Sequence, residues 1–197
     1  MRRFLVLVTA LAVVACSPSD GDAESATIES LETTTTTAPE TTTSSTSRPF
    51  GVTSPEFSDG GAIPTEFTCD GADVSPPLEI VGIPEGTESL VILVDDPDAP
   101  VGTWDHWVEF DIVTGPGPFD VPRDTGPLGV QGSNSWNLEG YGGPCPPAGD
   151  EAHTYHFHVY AVGGLLDLPT GVDGATVRTA MEGRVIDSVE LTGTYSR

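Results

Sequence analysis

The residues best suited to chemistry in this chain are a run of aspartates set between prolines, a phenol, and all four of its histidines. The stretch DDPDAP, Asp95 to Pro100, follows the apolar run Leu90 to Val94. Pro97 and Pro100 fix φ and lack a backbone donor. They also restrict Asp96 and Ala99 toward extended geometry. A stiff bend of this kind aims the carboxylates of Asp96 and Asp98 in set directions. There they can accept hydrogen bonds, anchor a loop or ligate a cation. A carboxyl group desolvated enough to raise its pKa can also donate a proton to a ligand oxygen. His106 opens a second apolar run, and its charge can switch near neutral pH. In GYGGPCPPAGDEAHTYHF, Gly140 to Phe157, Gly142 and Gly143 allow close backbone approach and positive φ. Successive amides in such a turn can form an anion nest. His153 and Tyr155, spaced by two, point to one side of the strand that follows, and His156 and His158 point to the other. A His-x-His pair can bind metal, but no cysteine or third histidine stands where it would complete that site. These two therefore read as structural or solvent-facing, and neither a metal nor a cofactor is expected. The plainer alternative for the whole set is a solvated acidic turn with Asx hydrogen bonds and histidines that serve packing.

The elements that must position these groups read mostly as strands. Leu90 to Val94 is a continuous apolar run, and Trp107 to Val113 alternates more loosely. Tyr155, Phe157, Val159 and Ala161 alternate with Thr154, His156, His158 and Tyr160, the period of a half-buried strand. Val185 to Tyr195 reads as a last strand. One helix is expected over Gly174 to Gly183, N-capped by Asp173, with Val177, Ala180 and Met181 on one face. Between the strands lie Gly- and Pro-rich loops, in a chain with 23 Gly and 18 Pro. The fold class is therefore all-β with a minor helix near the C-terminus. The loop from Gly126 to Asp150 is long for a compact domain, which marks it as functional or disordered. Trp136 and Tyr141 within it favour the first.

Composition narrows the partners. Acidic residues number 30 against 7 basic ones, with a formal charge of -23 and no lysine. Nucleic acid is not an expected partner, because phosphate contacts need a basic face. The N-terminus reads as an export signal, with basic Arg2 and Arg3 before the apolar stretch Phe4 to Val14. That stretch is shorter than the roughly 20 residues a spanning helix needs. Val13 to Cys16, VVAC, resembles the lipobox of bacterial lipoproteins, which implies cleavage of residues 1–15 and lipid on Cys16. Membrane attachment is then expected through that lipid alone. Residues 17–48 contain TTTTTAPETTTSSTS and cannot bury enough apolar surface to offset the entropy of ordering. They read as a disordered Thr/Ser-rich tether to a folded domain at residues 49–197. An exported setting permits a Cys69–Cys145 disulfide, and two free, half-buried thiols remain the alternative. No nucleophile elbow and no phosphate-binding P-loop is present, and the missing lysine removes Walker-type and Schiff-base chemistry. The chain is accordingly expected not to be an enzyme.

Three stretches together carry a family resemblance. CDGADVSPPLEI (Cys69 to Ile80), DDPDAPVGTWDHWV (Asp95 to Val108) and GYGGPCPPAGDEAHTYHFHVYAV (Gly140 to Val162) resemble, in order and spacing, phosphatidylethanolamine-binding proteins. The closest likeness is to their bacterial, Raf-kinase-inhibitor-like branch, to which the ending LTGTYSR is also similar. The resemblance covers about Pro49 to Arg197. It implies two antiparallel sheets in a Greek-key sandwich with peripheral helix, and a shallow pocket for phosphate, acetate or a phosphorylated head group. Carried over residue by residue, the pocket would comprise Asp96, Asp98, His106, Gly143, Pro144, His153 and Tyr155. The resemblance also implies a cis Ala99–Pro100 bond. The function it implies is a lipid-anchored extracytoplasmic protein that binds a small anionic or phosphorylated ligand. The alternatives are an inhibitor or regulator of a secreted protease or other protein partner, and an unrecognised hydrolase using Asp96, Asp98 and His106.

Overall fold

The computed structural model describes residues 48–115 and 117–197. The expected export signal, Cys16 and all but the last residue of the expected tether lie outside the described residues. In chain order the strands are β1 (Gly51–Thr53), β2 (Gly61–Ala62), β3 (Leu78–Val81), β4 (Ser89–Asp96), β5 (Trp104–Val113), β6 (Phe119–Val121), β7 (Val130–Gln131), β8 (His153–Val162) and β9 (Val185–Tyr195). A short 3-10 turn covers Thr65–Phe67, and the helix α1 spans Gly174–Met181. Two sheets form, one in the order β1-β3-β6 and the other β2-β9-β8-β4-β5-β7. All pairings are antiparallel except the two-residue contact of β2 with β9.

Strand β4 is buried along its whole length. Its edges pair with β8 and β5, and its faces are covered by the small sheet on one side and by α1 on the other, so an unbroken apolar run suits that place. Leu90, Ile92 and Val94 face inward against the small sheet, packing with Val52, Leu78, Ile80, Trp107, Phe157 and Val159. Val91 and Leu93 face the other way, against Val108, Phe110, Val177 and Met181. Helix α1 covers that outer layer. Asp173 caps it, accepting from the Thr176 amide at 2.8 Å, and Gly183 follows with φ of 73°.

Two irregularities in β5 matter for the site. Pairing with β4 passes from Val94↔Trp107 to Asp95↔Asp105, which leaves His106 as an unpaired extra residue. A β-bulge of this kind redirects a side chain and bends the strand. Further along, the buried Glu109 accepts hydrogen bonds from the Leu128 amide, from the Gly129 amide at 2.9 Å and from Trp107 Nε1 at 3.0 Å. A carboxylate inside the sheet thereby ties down the start of the long loop. The rest of that loop is ordered by its own polar groups, as a packed backbone requires. Asn134 Oδ1 accepts from the amides of Trp136 and Leu138, and Tyr141 donates its hydroxyl to Phe67 O at 2.8 Å.

The DDPDAP bend departs from expectation in one respect. The Ala99–Pro100 bond is trans, as are all peptide bonds among the described residues. Pro100 occupies the second position of a turn closed by Gly102 N donating to Ala99 O at 3.0 Å. That position takes the fixed φ of a trans proline without strain, whereas a cis proline belongs at the third position of a turn.

Candidate binding pocket

The pocket grows from three chain segments that meet at one end of the large sheet. Alternation along β4 sends Asp95 to the outer face and Asp96 to the inner one. The buried Asp96 uses both oxygens. Oδ1 accepts the Asp98 amide at 2.9 Å, closing an Asx turn, and Oδ2 contacts His153 Nδ1 at 2.7 Å. The Asp98 carboxylate accepts the Thr154 amide at 2.8 Å. Asp98 is exposed and acts as a strut that fastens the bend to the start of β8. It does not line the cavity that holds Asp96.

His106, turned inward at the bulge, is buried and donates from Nδ1 to Gly142 O at 2.7 Å. A carbonyl can only accept, so this contact places the proton on Nδ1 and leaves Nε2 with the lone pair while the ring is neutral. Burial depresses the His106 pKa below its ordinary 6.5, against the opposing pull of the Gly142 carbonyl and Asp96. Tyr155 meets His106 edge to face, with ring centroids 5.2 Å apart, and His153 stacks along Tyr155 at 6.4 Å. The Tyr155 hydroxyl is buried and has no hydrogen-bond partner among the described residues. Burial raises its pKa far above 10, reinforced by the charges of Asp96 and Asp98.

Beside them is a cavity of about 200 Å³ lined by Asp96, Trp104, His106, Trp136, Cys145 and His153, with prolines and Val101; Tyr155 is not part of the lining and packs against His106 and His153. Pockets for drug-sized ligands run to roughly 300–1,000 Å³, so this cavity is small by comparison. Trp104 was not singled out as a site residue from the sequence. It stands two residues before His106 on β5, its ring packs edge to face with Trp136 at 5.3 Å, and its Nε1 is buried without a partner. The signal that could have found it is the i, i+2 spacing of Trp104 and His106. The bulge obscured it.

Gly143 and Pro144 do not act as expected. The Gly142 amide donates to His106 O at 2.9 Å and the Gly143 amide to Asp73 Oδ1 at 2.7 Å, so neither is free for an anion. Neither glycine has positive φ. Both are required by packing: a Cβ on Gly142 would lie 2.9 Å from the Trp136 ring, and one on Gly143 would lie 2.4 Å from Phe67 O. Pro144 is buried, and its carbonyl accepts the Cys69 amide at 3.1 Å. The amides of Gly142 and Gly143 therefore form no anion nest, and the loop contributes a wall of the cavity through Cys145, Pro146 and Pro147. Cys145 in that wall is disulfide-bonded to Cys69, with Cα atoms 5.4 Å apart. The two thiols singled out in the sequence therefore form a bridge across 76 residues.

Two β-sheets packed together, with an acidic, histidine-bearing cavity at the end of the larger one, define the class of fold. The family profile described as phosphatidylethanolamine-binding protein matches residues 53–196, and the chain belongs to that family. A UPF0098 protein of Pyrococcus horikoshii is 42% identical over 149 residues, covering 72% of this chain and 74% of its own. "Putative lipoprotein LppC" of Mycobacterium tuberculosis strain H37Rv is 37% identical over 191 residues, covering 97% of this chain and 92% of its own. Among solved structures, Escherichia coli YbcL, described as a member of the mammalian PEBP family, superposes with a TM-score of 0.70 at 35% identity. The match covers 75% of this chain and 98% of that one. A PEBP homologue, CT736 of Chlamydia trachomatis, superposes equally well, at 35% identity over 75% of this chain.

Proposed function

We propose that this chain is a lipid-anchored extracytoplasmic binding protein whose pocket takes a small anionic or phosphorylated group. The observation that carries the reading is a pair of orphaned donors. Trp104 Nε1–H and the Tyr155 hydroxyl are buried without partners, and a buried polar group left unpaired costs about 1–3 kcal/mol. In this reading a ligand oxygen in the cavity accepts from Trp104 Nε1, which lines it, and a further ligand contact reaches the Tyr155 hydroxyl, which packs against the lining residues His106 and His153. His106 Nε2 becomes a further donor when the ring is protonated. An anion bound beside it favours that protonation, so binding takes up a proton and strengthens on mild acidification. Asp96 does not bind the anion in this reading. It holds His153 by its Nδ1 and so fixes the direction of Nε2.

The anchoring rests on the VVAC sequence before Cys16, supported by a relative named as a lipoprotein that matches 97% of this chain. No helix among the described residues is long and apolar enough to cross a membrane. The tether of residues 17–48 would then set the domain at residues 49–197 off the surface.

A second reading, a protein partner, is favoured by one observation. Val101 is 78% exposed at the rim of the cavity, where an apolar side chain suits a partner that covers the mouth. Native mass spectrometry of the purified full chain tests the first reading. A phosphorylated species is expected to co-purify and to be displaced by phosphoethanolamine or inorganic phosphate. An empty chain that neither compound loads would leave the partner reading in place.

A further inference from the structure

The alternation of β8 that brings His153 and Tyr155 to the inner cavity sends His156 and His158 to the opposite face of the large sheet. There the pairing of β8 with β9 sets Glu190 directly across from His158. Glu190 Oε1 lies 3.3 Å from His156 Nδ1, and Oε2 lies 3.3 Å from His158 Nδ1. The two imidazoles stack with centroids 5.7 Å apart and planes inclined by 15°. One ligand atom from each of the three residues lies within 4.8 Å of the others. We propose that His156, His158 and Glu190 bind a divalent transition-metal ion of the zinc, copper or nickel type, at a site separate from the pocket.

The donor set selects the metal class. Two imidazoles and one carboxylate suit zinc, copper and nickel, whereas calcium and magnesium prefer all-oxygen shells. Three protein ligands leave one position of a tetrahedral ion open to water. The spacing is close to what such an ion needs. Bonds of about 2.0–2.2 Å in tetrahedral geometry put neighbouring ligand atoms about 3.3–3.5 Å apart. His156 Nδ1 lies 3.3 Å from Glu190 Oε1 and His158 Nδ1 lies 3.3 Å from Oε2, and with one atom from each residue within 4.8 Å of the others, small side-chain shifts bring all three onto one ion.

The support around the ligands points the same way. All three sit on paired strands, which hold ligands more firmly than loops do. Asp95, on the outer face of β4, places Oδ2 3.6 Å from His158 Nε2 and is itself held by Arg178 Nη2 at 2.7 Å. A carboxylate on the far side of a ligating imidazole keeps the proton on that nitrogen and the lone pair on the other. At 3.6 Å Asp95 stands just outside hydrogen-bond range of Nε2, and a small approach would let it take that outer role and leave the lone pair on Nδ1, the nitrogen beside Glu190. The side chains are 26%, 23% and 42% exposed, so an ion and its water can enter from solvent. A chain with a formal charge of -23 attracts cations in general, and the two imidazoles make this place selective among them.

The sequence holds just four histidines, so ring resonances distinguish the two locations directly. The full chain, stripped with a chelator, is titrated with Zn2+ and followed by NMR of the four imidazoles and by calorimetry. The expected result is one saturable equivalent, with shifts at His156 and His158 and none at His106 and His153. Cu2+ in its place should show nitrogen couplings by electron paramagnetic resonance. Glu190→Gln and His158→Gln, both at half-exposed positions, should each weaken Zn2+ by about 100-fold or more, beyond the roughly 10–100-fold of an outer-shell loss. Shifts confined to His106 and His153, no saturable binding, or equal competition by Ca2+ would overturn the proposal, the last by showing that scattered carboxylates hold the ion.

Discussion

The Cys69–Cys145 bridge is the structural feature whose loss can be given a magnitude most directly. It joins the segment after the 3-10 turn to the cavity wall across 76 residues of chain. In the chain-entropy account, closing a loop of that length in the unfolded ensemble removes about 15 cal/mol/K, or about 4.5 kcal/mol at 25 °C. Native bridges in exported domains are worth about 2–5 kcal/mol when removed. The double variant Cys69→Ala/Cys145→Ala should therefore lose about 2–5 kcal/mol. For a domain of roughly 150 residues each kcal/mol moves Tm by about 2–4 °C, so Tm should fall by about 4–20 °C. Urea unfolding followed by circular dichroism measures the first quantity and a thermal scan the second. The m-value should rise, because the unfolded chain without the bridge is less compact and exposes more surface. Because Pro144 O also accepts the Cys69 amide, the wall should stay near its place at low temperature while the stability drops. A loss under about 1 kcal/mol would refute the reasoning, since it would mean the unfolded chain gains almost no freedom from the cut.

Other consequences concern single side chains. Glu109→Gln keeps an acceptor for one set of donors but turns an amide N–H toward the Leu128 and Gly129 amides or toward Trp107 Nε1. It should cost about 1–3 kcal/mol in urea unfolding. Tyr155→Phe removes a buried hydroxyl that has no partner, so stability of the unliganded chain should stay level or rise by about 1 kcal/mol, while a structural role for the hydroxyl would show as a loss. His106 has a folded pKa depressed below 6.5 by burial. The folded chain then binds fewer protons than the unfolded one, so its contribution to stability is full above about pH 6.5 and is lost as pH falls toward the lower folded value. His106→Gln should flatten that part of the stability–pH curve.

How much of this was legible in the sequence depends on how local the determining physics is. The period-two pattern of β8 is local, and it placed His153 and Tyr155 on one face and His156 and His158 on the other. The cap of α1 is equally local, since Asp173 and Thr176 are three residues apart. The loose alternation of Trp107 to Val113 was visible, but its cause was not. A register shift with β4 between Ile92↔Glu109 and Leu90↔Ile112 interrupts it, and like the bulge at His106 this is set by pairing, which a single strand does not encode. The glycines were legible as close approaches and misread as anion donors. Their amides are taken by His106 O and by Asp73, the latter 70 residues away. Glu190 escaped notice beside the His-x-His pair for the same reason, because only the β8–β9 register brings it across from His158. The Ala99–Pro100 bond was inferred from resemblance, and the local turn decided it otherwise.

The central claim is that orphaned donors and a proton-accepting histidine make the inner cavity an anion site. The most direct test is calorimetric titration of inorganic phosphate into the full chain at about pH 7 and about pH 5.5, on either side of the ordinary histidine value. The account predicts one site that tightens on acidification by up to about tenfold per pH unit, the slope of one proton taken up. It also predicts that Tyr155→Phe or Trp104→Phe weakens binding by about tenfold or more, since a hydrogen bond to a charged group is worth about 1.5–3 kcal/mol. Phosphate affinity that falls with acid, or that neither variant alters, would contradict it.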